Sequence, residues 1–360
     1  MPTVSLTPQR MARCKVAYTA RNLDLRRPLT VVAGEGITPQ HGDLMLATVT
    51  GIGQHPRLEL STGRRATLYT DDEVLVAAAT RYSADQFEAE LPEHLDACHL
   101  VAAGGIAGCV RSAHSKMSAP TGLEPVGLLA DLDGTVINLS DLALPPPAHA
   151  LRRPPTIVVA GTSMNAGKTT AVAAITRGLT AAGLRVGAAK LTGTGAGGDP
   201  WLYRDAGAAE VLDFTDAGLA ATYRLELPML LDCATSLHAH LACRGVDAIV
   251  LEIADGVLQP ETAALLSHPR IRALADGVLF AAGDAAGALL GVARLGAAGL
   301  PVLAVTGLLT TAPLAVREAQ AGLDVPVYDT CDLCHPVLAR SVLDRLAAAR
   351  TARAVTGQPA

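Results

Sequence analysis

Aromatic residues make up only 3 % of the 360 residues, with one Trp and three Phe, so the core must be filled with Ala, Val and Leu. A basic surplus is also missing: 29 Lys and Arg face 34 Asp and Glu, a formal net charge of −5. Nothing in that balance suggests a partner recognised through a phosphate backbone, and no nucleic acid is expected. No stretch reaches the ~18 consecutive apolar residues of a membrane span. The N-terminal segment carries Arg10, Arg13, Lys15, Arg21, Arg26 and Arg27 without an apolar run, which is not a secretory signal. Seven scattered cysteines, an odd number, do not make a disulfide framework and point to reduced thiols in a cytoplasm. Lysine is the last scarcity. Only Lys15, Lys116, Lys168 and Lys190 occur, every other basic residue being arginine.

Two of those four lysines mark the chemistry. Residues 157–170 read Ile-Val-Val-Ala-Gly161-Thr162-Ser163-Met164-Asn165-Ala166-Gly167-Lys168-Thr169-Thr170, an apolar strand running into a glycine-bracketed loop. A triphosphate needs converging backbone N–H groups, a helix N-terminus, a point positive charge and a hydroxyl for Mg²⁺. The small loop residues supply the first, Lys168 the charge and Thr169 the hydroxyl. The following stretch has Val172, Ile175 and Leu179 at helical spacing and predicts a helix over 170–181. The segment from Gly161 to Thr170 is thus a candidate P-loop, although five residues separate its glycines where the usual pattern has four.

The rest of the chain divides around prolines. Residues 145–155 read as a Pro-rich linker between domains 1–144 and 156–360. In the first domain, short strands are predicted at 44–49, 57–60, 66–69, 73–76 and 99–103, with a helix at 84–91 and a hairpin at 127–139. Closely spaced strands of this kind suggest a small barrel-like, β-rich α+β domain. In the second, strands at 156–160, 185–189, 246–251, 277–281, 301–305 and 326–328 alternate with helices. That predicts an α/β fold, a parallel sheet covered by helices on both faces.

Groups that reach the phosphates of such a sheet lie at the carboxyl ends of its strands. Glu252 ends the apolar run 246–251 and is the first choice for Mg²⁺, with Asp255 a poorer second. Lys190 ends another strand and opens a Gly-rich loop that leads to Asp199 and on to Asp205, an acid that could complete the metal site from a helix start or simply cap that helix.

Gly161-Thr162 through Gly167-Lys168-Thr169, with its five-residue gap, resembles the loop of dethiobiotin synthetase and of the P-loop class that includes the cobyric and cobyrinic acid amide synthases. The resemblance covers about residues 156–310. It implies ATP and Mg²⁺, a second lysine at the end of the next strand, a Mg²⁺-binding aspartate further on and a glutamate after a later strand. Lys190, Asp205 and Glu252 stand at those places. It also implies a homodimer acting on a small-molecule substrate. The loop is similar as well to that of the P-loop family containing D-amino-acid N-acetyltransferases and, more loosely, to a molybdopterin-dinucleotide accessory protein. Two departures stand out. The synthetase has Glu-Gly-Ala-Gly-Gly where this chain has Glu252-Ile-Ala-Asp255-Gly256, and Val305-Thr306-Gly307 replaces the usual adenine-reading Asn.

The implied function is an ATP- and Mg²⁺-dependent ligase (synthetase) or kinase-type transferase in which Lys168 and Lys190 stabilise the γ-phosphoryl group during activation of a small acid, carbamate or related oxygen nucleophile, for ligation, cyclisation or phosphorylation. Two alternatives come from other classes. Cys331, Cys334 and His335 could be metal ligands of a nucleotide-dependent switch or metallochaperone. Alternatively, the P-loop could hold coenzyme A in an acyltransferase. Asp131-Leu-Asp133-Gly134-Thr135 matches a phosphatase signature, but Asp-Gly between alternating apolar residues reads as a hairpin turn.

Overall fold

The computed structural model describes residues 3–147 and 152–355; residues 148–151, within the predicted linker, lie outside it. Two compact units divide the chain. The first comprises 1–145 together with 193–198 and 214–224, and the second takes 146–192, 199–213 and 225–360.

The first unit contains strands β1 (Thr3–Leu6), β2 (Lys15–Val16), β3 (Leu29–Val32), β4 (Leu44–Gly51), β5 (Arg57–Glu59), β6 (Arg65–Thr67), β7 (Glu73–Ala78), β8 (Phe87–Glu90), β9 (Cys98–Ala102), β10 (Ile106–Ala113) and β11 (Thr121–Ala130), with helix α1 at Pro8–Arg13. Pairing runs β4–β7–β10–β9–β11 and returns from β11 to β4. The predicted barrel is therefore present as a closed five-stranded circuit, with one parallel pair, β7 with β10. Alternation along β4 explains why it closes: Met45, Ala47 and Val49 join one apolar cluster, and Leu44 and Leu46 join another. Both faces are thus covered.

Segment 84–91 corrects the sequence expectation of a helix. Residues Phe87–Glu90 form β8, antiparallel to β10. Phe87 and Ala89 are buried, while Glu88 and Glu90 face outward and bond Ser112 and Arg111 of the neighbouring strand. Period-two burial prevailed over the helix propensity of Glu and Ala. The Asp131–Thr135 segment is a turn: Asp131 N donates to Thr135 O at 2.9 Å, and Gly134 takes φ 85°.

The second unit has β12 (Thr156–Gly161), α2 (Lys168–Ala181), β13 (Val186–Lys190), α3 (Gly198–Asp205), β14 (Glu210–Asp213), α4 (Leu227–Cys243), β15 (Ala248–Glu252), α5 (Pro260–Ser267), α6 (Pro269–Leu274), β16 (Gly277–Ala281), α7 (Ala285–Ala297), β17 (Val302–Thr306), α8 (Pro313–Gly322) and α9 (Pro336–Val355). Its six strands are all parallel, in the order β14-β13-β15-β12-β16-β17. Strand residues of one parity, including Ile157, Val159, Val250 and Leu279, pack with Val172, Ile175 and Leu179 of α2 and Val342 of α9. The other parity meets α4 and α7, through Leu241 against Gly187 and Phe280 against Gly291. The α/β expectation holds, with β14 an added strand and 326–328 reduced to a bridge between Val305 and Val327.

Candidate functional site

Parallel strands finish together, and the register puts the chemistry on one edge. Lys190 lies opposite Glu252, Glu252 opposite Val159, Gly161 opposite Ala281, and Ala281 opposite Thr306. The loop from Gly161 to Thr170 leaves that edge. A side chain at Gly161 would come within 2.6 Å of Ala281 O and 2.9 Å of Lys168 Cγ, so only glycine lets the lysine fold under the loop. The backbone reverses through Asn165 (φ 61°) and Gly167 (φ 99°), both left-handed. Gly167 is the N-cap of α2 and brings no side-chain hydrogen bond. The first-turn N–H groups at Lys168, Thr169 and Thr170, which have no acceptor within a helix, are therefore left for an anion.

Neighbouring turns fix the loop. Thr162 N donates to Ala281 O at 2.9 Å, and Gly283 N donates to Thr162 Oγ1 at 3.3 Å. Ala166 O accepts from Leu308 N at 2.9 Å. Ser163 closes the turn by donating to Met164 O at 3.0 Å.

Lys168 is buried, and its Nζ donates to Ser163 O at 2.6 Å. Burial lowers its pKa below the ordinary lysine value, against the pull of Glu252 and Asp255. Thr169 Oγ1 donates to Glu252 Oε1 at 3.1 Å, and the Tyr203 hydroxyl donates to Glu252 Oε2. Glu252 is 1 % exposed, and burial pushes its carboxyl upward, with Asp199 adding to the push. Lys190 pairs with Asp199. Burial opposes its charge, but the carboxylates of Asp199 and Glu252 outweigh that and hold the ammonium above the usual value. The edge thus gathers two lysines, three acids and a phenol.

Of the residues singled out in the sequence, Gly161, Thr162, Ser163, Asn165, Ala166, Gly167, Lys168, Thr169 and Thr170 all lie on this loop, and Lys190 and Glu252 stand beside it. Asp205 does not. Helix α3 begins at Gly198, so Asp205 is its exposed last residue, remote in the chain from the end that faces Lys190. The first-turn acid is Asp199, and Tyr203, four residues on along the same face, reaches Glu252. The signal for that start was Pro200, since proline is favoured in a first turn.

A metal fits the donors present. Thr169 and Glu252 offer hard oxygens side by side, and Mg²⁺ binds through one or two carboxylates completed by phosphate and water. No group of three or more His, Cys, Asp or Glu among the described residues could hold a metal alone. Cys331, Cys334 and His335 are not gathered into such a group; both thiols are exposed around the short turn Asp332–Cys334.

No family model and no curated protein matches the chain. Among solved structures, the chain is similar to the signal recognition particle receptor FtsY from Elizabethkingia anophelis, at 18 % identity and a TM-score of 0.37, over 59 % of this chain and 74 % of that one. The same receptor in complex with GDP matches at 18 % and 0.37, over 54 % and 64 %. Likeness at that level decides neither nucleotide nor activity.

Proposed function

We propose that the second unit binds a nucleoside triphosphate with Mg²⁺ on the Gly161–Thr170 loop and cleaves its γ-phosphoryl bond. The observation that carries this is the Thr169–Glu252 hydrogen bond beside a buried Lys168, at the mouth of a loop fixed by its neighbours. Backbone N–H groups of the loop would hold the β- and γ-phosphates. Lys168 would neutralise charge as the bond breaks, and Thr169 and Glu252 would hold the metal. When bound, Mg²⁺ draws charge from the γ-phosphate oxygens.

Two destinations for the phosphoryl group fit these residues. Lys190, pinned by Asp199, is a second cation suited to an anionic acceptor, which supports an ATP-dependent ligase or transferase acting on a small acid. Transfer to water would make the unit a nucleotide-dependent switch, a reading supported by the acid at position 255. ATP against GTP, a homodimer and cytoplasmic residence stay expectations of the sequence.

Calorimetric titration with ATP, GTP and acetyl-CoA, each with and without Mg²⁺, tests the proposal. Magnesium-dependent triphosphate binding, weakened at least about tenfold by Lys168→Ala, is the expected result. Binding of acetyl-CoA alone would replace it with acyl transfer. Unaltered triphosphate binding by Lys168→Ala would remove it.

A further inference from the structure

The loop after Glu252 is the one part of the site that the proposed nucleotide-binding roles do not use. Its acid, Asp255, holds φ 63°, a left-handed conformation that costs a non-glycine residue about 1 kcal/mol or more. The backbone around it is tightly held. Ile253 N donates to Val159 O at 2.9 Å, Ala254 N to Thr192 Oγ1 at 2.8 Å, and Val257 N to Gly161 O at 3.0 Å. Gly256 lies so close to the loop that a side chain there would strike Thr162 O. Asp255 is therefore clamped beside the first turn of the P-loop.

The three acids of this edge differ in what they have left to offer. Both oxygens of Glu252 are engaged, by Thr169 and Tyr203, and Asp199 is paired with Lys190. Asp255 makes no hydrogen bond or ion pair of its side chain among the described residues. Lys168 and Lys190 face it electrostatically, as does Glu261 from α5. A carboxylate held beside the first turn of the loop, within the electrostatic influence of two lysines and without a bonded partner of its own, suits a group that receives a proton beside the γ-phosphate.

We propose that Asp255 accepts the proton of a water molecule that attacks the γ-phosphorus. This rests on the nucleotide reading above and deepens it. The water oxygen forms the new P–O bond, and the bond from the γ-phosphorus to the β-phosphate bridging oxygen breaks. That oxygen keeps the electron pair, with its charge met by Lys168. The proton passes to the Asp255 carboxylate and then to solvent, leaving nucleoside diphosphate and inorganic phosphate. Burial raises the Asp255 carboxyl above its usual value, against the two lysines, which moves it toward the working range of a base.

The test uses Asp255→Asn, equal in shape, and Asp255→Gly, which suits the left-handed backbone and guards against misfolding. MgATP and MgGTP binding is measured by calorimetry, and single-turnover phosphate release is followed from pH 5 to 8. Both variants are expected to bind the nucleotide that the wild type binds within about threefold and to release phosphate at least about 100-fold more slowly. Wild-type release should fall at acid pH, and that limb should be absent from Asp255→Asn. Release by Asp255→Asn at the wild-type rate would overturn the inference, as would loss of binding in both variants. So would a wild type that holds MgATP or MgGTP without releasing phosphate. A wild type that binds neither nucleotide is a different result: it removes the nucleotide reading, and the inference with it.

Discussion

Gly307 helps set the shape of the Gly161–Thr170 loop, as the loop's own glycines do. It takes φ 99°, and a side chain there would strike Ala166 O and come within 2.9 Å of Ala282 N. Gly307→Ala should therefore push the loop out of position, cost about 1–3 kcal/mol of stability and abolish the proposed nucleotide binding. Thermal unfolding paired with calorimetry checks both effects. Tyr203 acts differently, through Glu252. On the proposed nucleotide reading, Tyr203→Phe should weaken Mg²⁺ affinity about tenfold, measured as the metal dependence of nucleotide binding, while metal-free binding holds. That the loop, Lys190 and Glu252 would share one edge of the sheet was legible, because strand ends follow from the apolar runs before them. Asp199 and Tyr203 were not, because their role depends on where α3 starts and on which face turns toward Glu252.

Among elements, β12, β13 and β15–β17 could be read to within about two residues, since an apolar run buried on both faces leaves few alternatives. Short β14, four residues long, carries too weak a pattern to stand out. For β8, the alternation Phe-Glu-Ala-Glu was in the sequence, but its partner β10 lies about twenty residues on, and only that pairing decides against a helix. Helix α7 shows how close the layers come. Gly291 meets the Phe280 ring so tightly that a methyl group could not enter, and Gly291→Ala should cost about 1–3 kcal/mol despite alanine's better helix propensity. Chemical denaturation would measure it, and a stabilised variant would mean that α7 can withdraw from the sheet without cost.

For the whole molecule, acid pH is the expected weakness. Burial pushes His55 and His238, one in each unit, down to about 4. Unfolded, each would take a proton near pH 6.5, so their neutral burial is without penalty above that value. As pH falls from 6.5 toward 4 the unfolded chain gains protons first, and stability is lost by up to about 3 kcal/mol for each residue. Unfolding midpoints at pH 7, 6 and 5 should fall in order. His238→Gln, which can keep a bond to Thr156, should shrink the fall. The prolines and the change of pattern suggest a division near residues 145–155, and the first unit's leading segment ends at residue 145. Membership of 193–198 and 214–224 in the first unit was not legible, because it depends on pairings such as Thr194 with Ala221 and on Gly197 N donating to Glu59 Oε2 at 2.8 Å.

That membership bears on how the protein is made. Ala220 and Ala221 belong to the apolar cluster of the first unit, and Arg21 is ion-paired with Asp216 at 2.6 Å. A ribosome releasing the chain from its N-terminus will have synthesised β12, α2, β13 and β14 before the last pieces of the first unit emerge. The N-terminal unit therefore cannot finish folding as soon as residue 145 has emerged, and must wait for residues up to 224. A fragment ending at residue 145 would be expected to expose apolar surface and aggregate, and one ending after residue 224 would carry strands of a parallel sheet still lacking β15. Completion of the first unit thus depends on a segment that is made only after three of the six strands of the second unit's sheet.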